Sequence, residues 1–133
     1  MKTLISFSLF FWCNLLIAAN NFDPVLAKEI SQSYLQSYFR KQPEREPKDI
    51  NWSKFIISSV TDSNGRKFIF VGFMSKLKNI GAVMYLEQCP DTLDPSWYGA
   101  SSNVAKDLAN FKNIAGDKTA DYPGGCWAHE HDT

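Results

Sequence analysis

A chain of 133 residues has room for one domain with a substantial hydrophobic core, and none for a second. Its 14 basic and 14 acidic residues cancel, and the basic ones are scattered with no run longer than Arg40-Lys41. The charge balance therefore gives no reason to expect nucleic acid or an anionic membrane as partner.

The N-terminus reads as an export signal. A charged start, Met1-Lys2-Thr3, leads into an apolar run from Leu4 to Ala18, which ends on Ala18-Ala19 before the polar Asn20-Asn21. The run is short of the roughly 20 apolar residues a membrane span needs. We expect residues 1–19 to be a signal peptide cleaved after Ala19, with residues 20–133 forming a single α+β domain, periplasmic or secreted, without a stable membrane anchor. Cys13 leaves with the signal, and the surviving pair, Cys89 and Cys126, is expected to form a disulfide in an oxidising compartment.

Asp23-Pro24 has the form of a helix start, an N-cap acid followed by proline at the first helical position. From there Leu26, Ile30, Tyr34 and Tyr38 recur every four residues, flanked by Val25, Ala27, Leu35 and Phe39, which predicts an amphipathic helix with one buried face. It should stop by Lys41, because Pro43 and Pro47 bracket a charged segment that cannot continue it. The residues from Gln42 to Asp49 then form a solvated connector.

Two stretches rich in Phe, Ile and Val, Trp52 to Thr61 and Arg66 to Ser75, flank Asp62-Ser63-Asn64-Gly65. The Asn-Gly pair can supply the positive φ values of a tight hairpin. The second stretch is apolar on both faces from Phe68 to Met74, as expected of a strand covered on both sides. A third strand, Ala82 to Gln88, delivers Cys89 at its end and completes an antiparallel meander. Beyond it, Pro90, Asp91, Asp94-Pro95, Gly99 and Ser101-Ser102 predict a long loop carrying Trp97-Tyr98. Ser102 or Asn103 can cap a second helix with Val104, Leu108, Phe111 and Ala115 on one face and Gly116 as its stop. The expected architecture is an N-terminal amphipathic helix packed on a three- to four-stranded antiparallel sheet, with a second helix and a disulfide-tethered C-terminal tail.

Few residues suggest chemistry. His129 and His131, with Glu130 and Asp132 between and beside them, can in principle hold Zn or Cu(II), although alternate residues of an extended tail point apart. Gly125-Cys126-Trp127-Ala128 resembles the nucleophile segment of papain-like cysteine proteases. That chemistry needs a histidine and an asparagine far downstream, and the expected bridge to Cys89 removes the thiol. Asp91 and Asp94 lie beside prolines and suit a turn. No nucleophile elbow or phosphate-binding glycine loop is present, so no catalytic residue is assigned and no cofactor is expected. Asn51-Trp52-Ser53 matches the N-glycosylation acceptor pattern.

What remains is aromatic richness, 14% of the chain. Trp97, Tyr98, Tyr122 and Trp127 lie in polar surroundings around the two cysteines, where they either complete a small core or serve as partner-binding anchors. The leading reading is an exported module that binds another protein, such as an inhibitor or immunity-type protein acting on a secreted enzyme. The alternative is an extracytoplasmic metal-binding protein using the His129/His131 tail.

Overall fold

A computed structural model of the chain describes residues 23–77, 79–113 and Cys126. Helix α1 spans Pro24–Lys41 and starts as its sequence dictates: the Asp23 carboxylate accepts the backbone N–H groups of Val25 at 3.0 Å and Leu26 at 3.3 Å, with Pro24 following the cap. Arg40 and Lys41 occupy its last turn, where cations oppose the helix dipole. A short 3-10 turn, Pro43–Arg45, opens the connector, which is largely solvated.

The buried line of α1 differs from the expected stripe by one position. Ala27, Ser31, Leu35 and Phe39 are buried, whereas Leu26 and Tyr34 are exposed. Small side chains at 27 and 31 let the helix lie close to the sheet, and the larger residues one position earlier are displaced to its flank.

The sheet is an antiparallel meander in the order β1 (Ile50–Thr61), β2 (Lys67–Ser75), β3 (Gly81–Gln88) and β4 (Leu93–Ser101). The β1–β2 hairpin forms where the sequence places it, but its loop is wider than a two-residue turn. Within this loop only Gly65 takes a positive φ, 83°, while the Asp62 carboxylate caps the loop by accepting N–H groups from Asn64 at 2.9 Å and Arg66 at 2.8 Å.

Strand β4 corrects the expected loop. Its Pro, Asp, Gly and Ser content reads as turn, yet residues 93–101 pair with β3 along their length. Proline is tolerated because β4 is an edge strand, where a missing donor interrupts no second ladder. The register slips beside Pro95: Leu86 faces Pro95 and Tyr85 faces Trp97, leaving Ser96 as the extra residue of a bulge.

Both faces of the sheet are covered. On one, Ile69, Val71 and Phe73 of β2 and Ala82, Met84 and Leu86 of β3 pack against Leu35 and Phe39 of α1. On the other, Phe68, Phe70, Val83 and Tyr85 pack against Val104 and Phe111 of α2 (Val104–Lys112). This explains why β2 is apolar at every position from Phe68 to Phe73. Asn103 caps α2 by accepting the Lys106 N–H at 3.1 Å, and Ser101 Oγ hydrogen-bonds Asp107 in its first turn. The expected continuation to Ala115 and Gly116 lies outside the described residues. Among the described residues no helix is long and apolar enough to cross a membrane.

Candidate functional site

Cys89 and Cys126 form a disulfide, with Cα atoms 5.5 Å apart. Such a bond is compatible with an oxidising, extracytoplasmic compartment. It fastens residue 126 to the end of β3, and a hydrogen bond reinforces the attachment: the Cys126 N–H donates to Glu87 Oε1 at 3.1 Å.

Glu87 is only 4% exposed, and a buried carboxylate survives only when its oxygens are satisfied. Arg66, brought alongside by the β2–β3 pairing, supplies a two-pronged bond, Nε to Oε2 and NH2 to Oε1, each 2.9 Å. The guanidinium also lies over the Phe68 ring, 4.9 Å from its centroid. The hydrogen bonds to Glu87 raise the Arg66 pKa above its ordinary value, against the opposing effect of burial, and the charges of Glu87 and Asp62 add to the rise. An open depression of about 400 Å³ lies here, lined by Gly65, Arg66, Lys67, Glu87, Gln88, Cys89 and Pro90. The sequence hinted at this centre only through Glu87, a charge at the end of the apolar run from Ala82 to Leu86.

Trp97 and Tyr98, adjacent in β4, point to opposite faces of the sheet. Trp97, 45% exposed, packs over Tyr85 with ring centroids 5.3 Å apart, and Tyr85 in turn contacts Phe111 of α2 at 5.2 Å. Tyr98, 37% exposed, meets Tyr38 of α1 edge-on at 5.5 Å and Tyr34 at 6.1 Å. The two residues therefore head separate surfaces on either side of one strand. Tyr34, expected within the buried face of α1, is exposed and joins Tyr98 on its flank, while Tyr38 packs against the core as well as against Tyr98. Leu26 and Ile30 continue this line at four-residue spacing, Leu26 exposed and Ile30 packed against the core. The result is an aromatic and aliphatic strip, with Leu26, Tyr34 and Tyr98 exposed, running beside the outer edge of β4.

Among the described residues no strand lies beyond β4, which is an edge of the described sheet. Tyr122, Trp127, His129 and His131 lie outside the described residues, and no group of three potential metal ligands occurs among the described ones. Asp91 and Asp94 fall in and beside the turn that joins β3 to β4.

No protein-family model matches the chain, and no curated protein or solved structure is significantly similar to it.

Proposed function

We propose that this protein is an exported binding module that recognises another protein through the β4 edge, acting as an inhibitor or immunity-type protein against a secreted enzyme. The observation that carries this reading is the concentration of exposed aromatic side chains on and beside one edge strand: Trp97 on one face, and Tyr98 with Tyr34 of α1 on the other. Rigid aromatic residues beside an edge strand combine the two ingredients of strand-addition recognition, main-chain pairing for affinity and side-chain contacts for specificity. The disulfide fits the same picture, since it braces the β3–β4 turn in a protein working outside the cytoplasm.

The test is capture of a partner from extracytoplasmic fractions of the source cells by the disulfide-bonded protein, followed by affinity measurement on the recovered pair. Trp97→Ala or Tyr98→Ala is expected to weaken binding by about 30-fold, the effect of losing one interface hot spot. Because the two residues face opposite ways, the pair of variants also reports which face carries the contact. Undiminished capture by both would refute the proposed surface.

A further inference from the structure

The opposite edge of the sheet carries a different surface. Strand β1 pairs regularly with β2 from Phe55 onward, but Ile50 faces Ser75 while Phe55 faces Phe73, so residues 51–54 bulge out of the ladder. Within the bulge, the Asn51 carboxamide oxygen accepts the Ser53 N–H at 3.2 Å and the Ser53 hydroxyl at 2.7 Å, closing a tight side-chain-capped turn. Trp52 sits in that turn. Its ring packs on Phe73 at 4.9 Å, joining the margin of the core beneath α1 and remaining only half-buried.

The indole borders a concavity of about 300 Å³ whose other lining residues are Gln36 and Arg40 of α1 and Glu46 of the connector. Gln36 and Arg40 are four residues apart and so share one helix face. Among the described residues, Gln36, Arg40 and Glu46 make no side-chain hydrogen bond or ion pair, with each other or with any neighbour. The concavity thus combines an aromatic surface held rigid by Phe73 with an amide, a guanidinium and a carboxylate, all with free hydrogen-bonding capacity.

We propose that this concavity binds a hexopyranose unit of a neutral carbohydrate. The apolar C–H face of a pyranose ring stacks by dispersion on a rigid indole. Vicinal hydroxyls, each both donor and acceptor, match planar side chains that present donors (Arg40), acceptors (Glu46) and both (Gln36). One cation and one anion facing the same space leave it without net charge, which disfavours anionic and cationic ligands alike. A purely aliphatic ligand would desolvate three polar groups without pairing them. The volume is at the lower end for small-molecule sites, and the shallow, open form sets the expected affinity for a single sugar in the millimolar range. The site lies across the sheet from the β4 edge and is independent of it.

The test is titration of the disulfide-bonded protein, produced without N-glycosylation, with methyl glucoside, methyl mannoside, N-acetylglucosamine and their trisaccharides, followed by NMR of the indole N–H signals. Trp52→Phe assigns the Trp52 signal. The expected result is a saturable shift of that signal by at least one sugar, tightening with the trisaccharide. Arg40→Ala and Glu46→Gln, both at exposed positions, are each expected to weaken binding at least fivefold with an unchanged melting temperature, and Trp52→Ala to abolish it. Trp97→Ala is expected to leave it intact. The proposal is overturned if no sugar gives a saturable shift, if binding survives in both Arg40→Ala and Glu46→Gln, or if glycine betaine or inorganic phosphate occupies the site in preference to every sugar.

Discussion

Replacing both bridge cysteines tests how much of the fold depends on the one covalent tie. The bond joins residues 37 apart in sequence. In the chain-entropy picture, opening a loop of that length frees the denatured ensemble by about 4 kcal/mol at 25 °C. Domains of this size are stable by roughly 5–15 kcal/mol, so the loss is large but leaves room for a folded state. The Cys89→Ser/Cys126→Ser protein should therefore unfold in urea with about 4 kcal/mol less stability, and melt roughly 20 °C lower. Its urea dependence should steepen, because an untethered denatured chain exposes more surface. The reduced wild-type protein should behave alike, which separates the bond from the effect of the serine substitutions. The native contact adds to this in one specific way: without the bridge, Glu87 keeps Arg66 but loses the restraint that holds the Cys126 N–H against its Oε1. A stability loss under about 1 kcal/mol with an unchanged slope would refute the reasoning, since the bridge would then constrain neither the folded nor the unfolded chain.

Three glycine-to-alanine variants should separate by the space each has for a methyl group. At Gly81 an added Cβ would lie 2.0 Å from the Phe73 carbonyl oxygen, a backbone atom, so β3 must part from β2 and the cost should be about 3 kcal/mol or more. At Gly72 the nearest atoms are Val104 Cγ1 and Phe70 Cε1, at 2.8 and 2.9 Å; these side chains can shift, for a cost of about 1–2 kcal/mol. At Gly99 no atom of the described residues lies within 4 Å of the added Cβ, and alanine should be neutral or stabilise by roughly 0.5 kcal/mol through a less flexible unfolded chain. Urea denaturation of all three checks the order, and equal effects at 81 and 99 would contradict the β2–β3 spacing. Arg66→Met should cost about 3 kcal/mol by stranding a buried carboxylate, whereas adding Glu87→Gln should recover much of the loss. A double variant no more stable than Arg66→Met would show that the charge of Glu87 is not what the arginine compensates.

The parts of the fold that were legible in sequence are those fixed by neighbours. Asp23-Pro24 starts α1, Asn103 starts α2, Gly65 turns the first hairpin, and the unbroken apolar run of β2 announces a strand covered on both faces. What was not legible depends on partners distant in the chain. Strand β4 exists because β3 offers a ladder to a segment whose own composition favours turns, and only its edge position makes Pro95 admissible. The burial line of α1 was displaced because tyrosine and leucine score as core residues, although the sheet selects for small Ala27 and Ser31 at the closest approach. Arg66 and Glu87 are 21 residues apart and become a pair only through the β2–β3 register. Of the aromatic residues expected to gather round the disulfide, Trp97 and Tyr98 were read as companions because they are adjacent, and strand geometry sends such neighbours to opposite faces.

Covering both faces of a four-stranded sheet has a consequence for where recognition can occur. The faces of β2 and β3 are filled by α1 and α2, so among the described residues exposed chemistry lies at the two edges and their flanks and in the strand-end depression beside Arg66 and Glu87. Each edge carries a guard against indiscriminate pairing. In β1 it is the bulge at residues 51–54 with exposed Lys54, and in β4 it is Pro95 with the extra Ser96. The guard on β4 protects only its first half. From Trp97 to Ser101 the strand runs in regular register with β3, with Trp97, Tyr98 and Ala100 exposed and Gly99 and Ser101 buried. Trp97 and Tyr98 follow that guard directly. A partner strand added to this edge would be limited by Pro95 on one side and by the buried Gly99 and Ser101 on the other, so its contacts would centre on Trp97 and Tyr98.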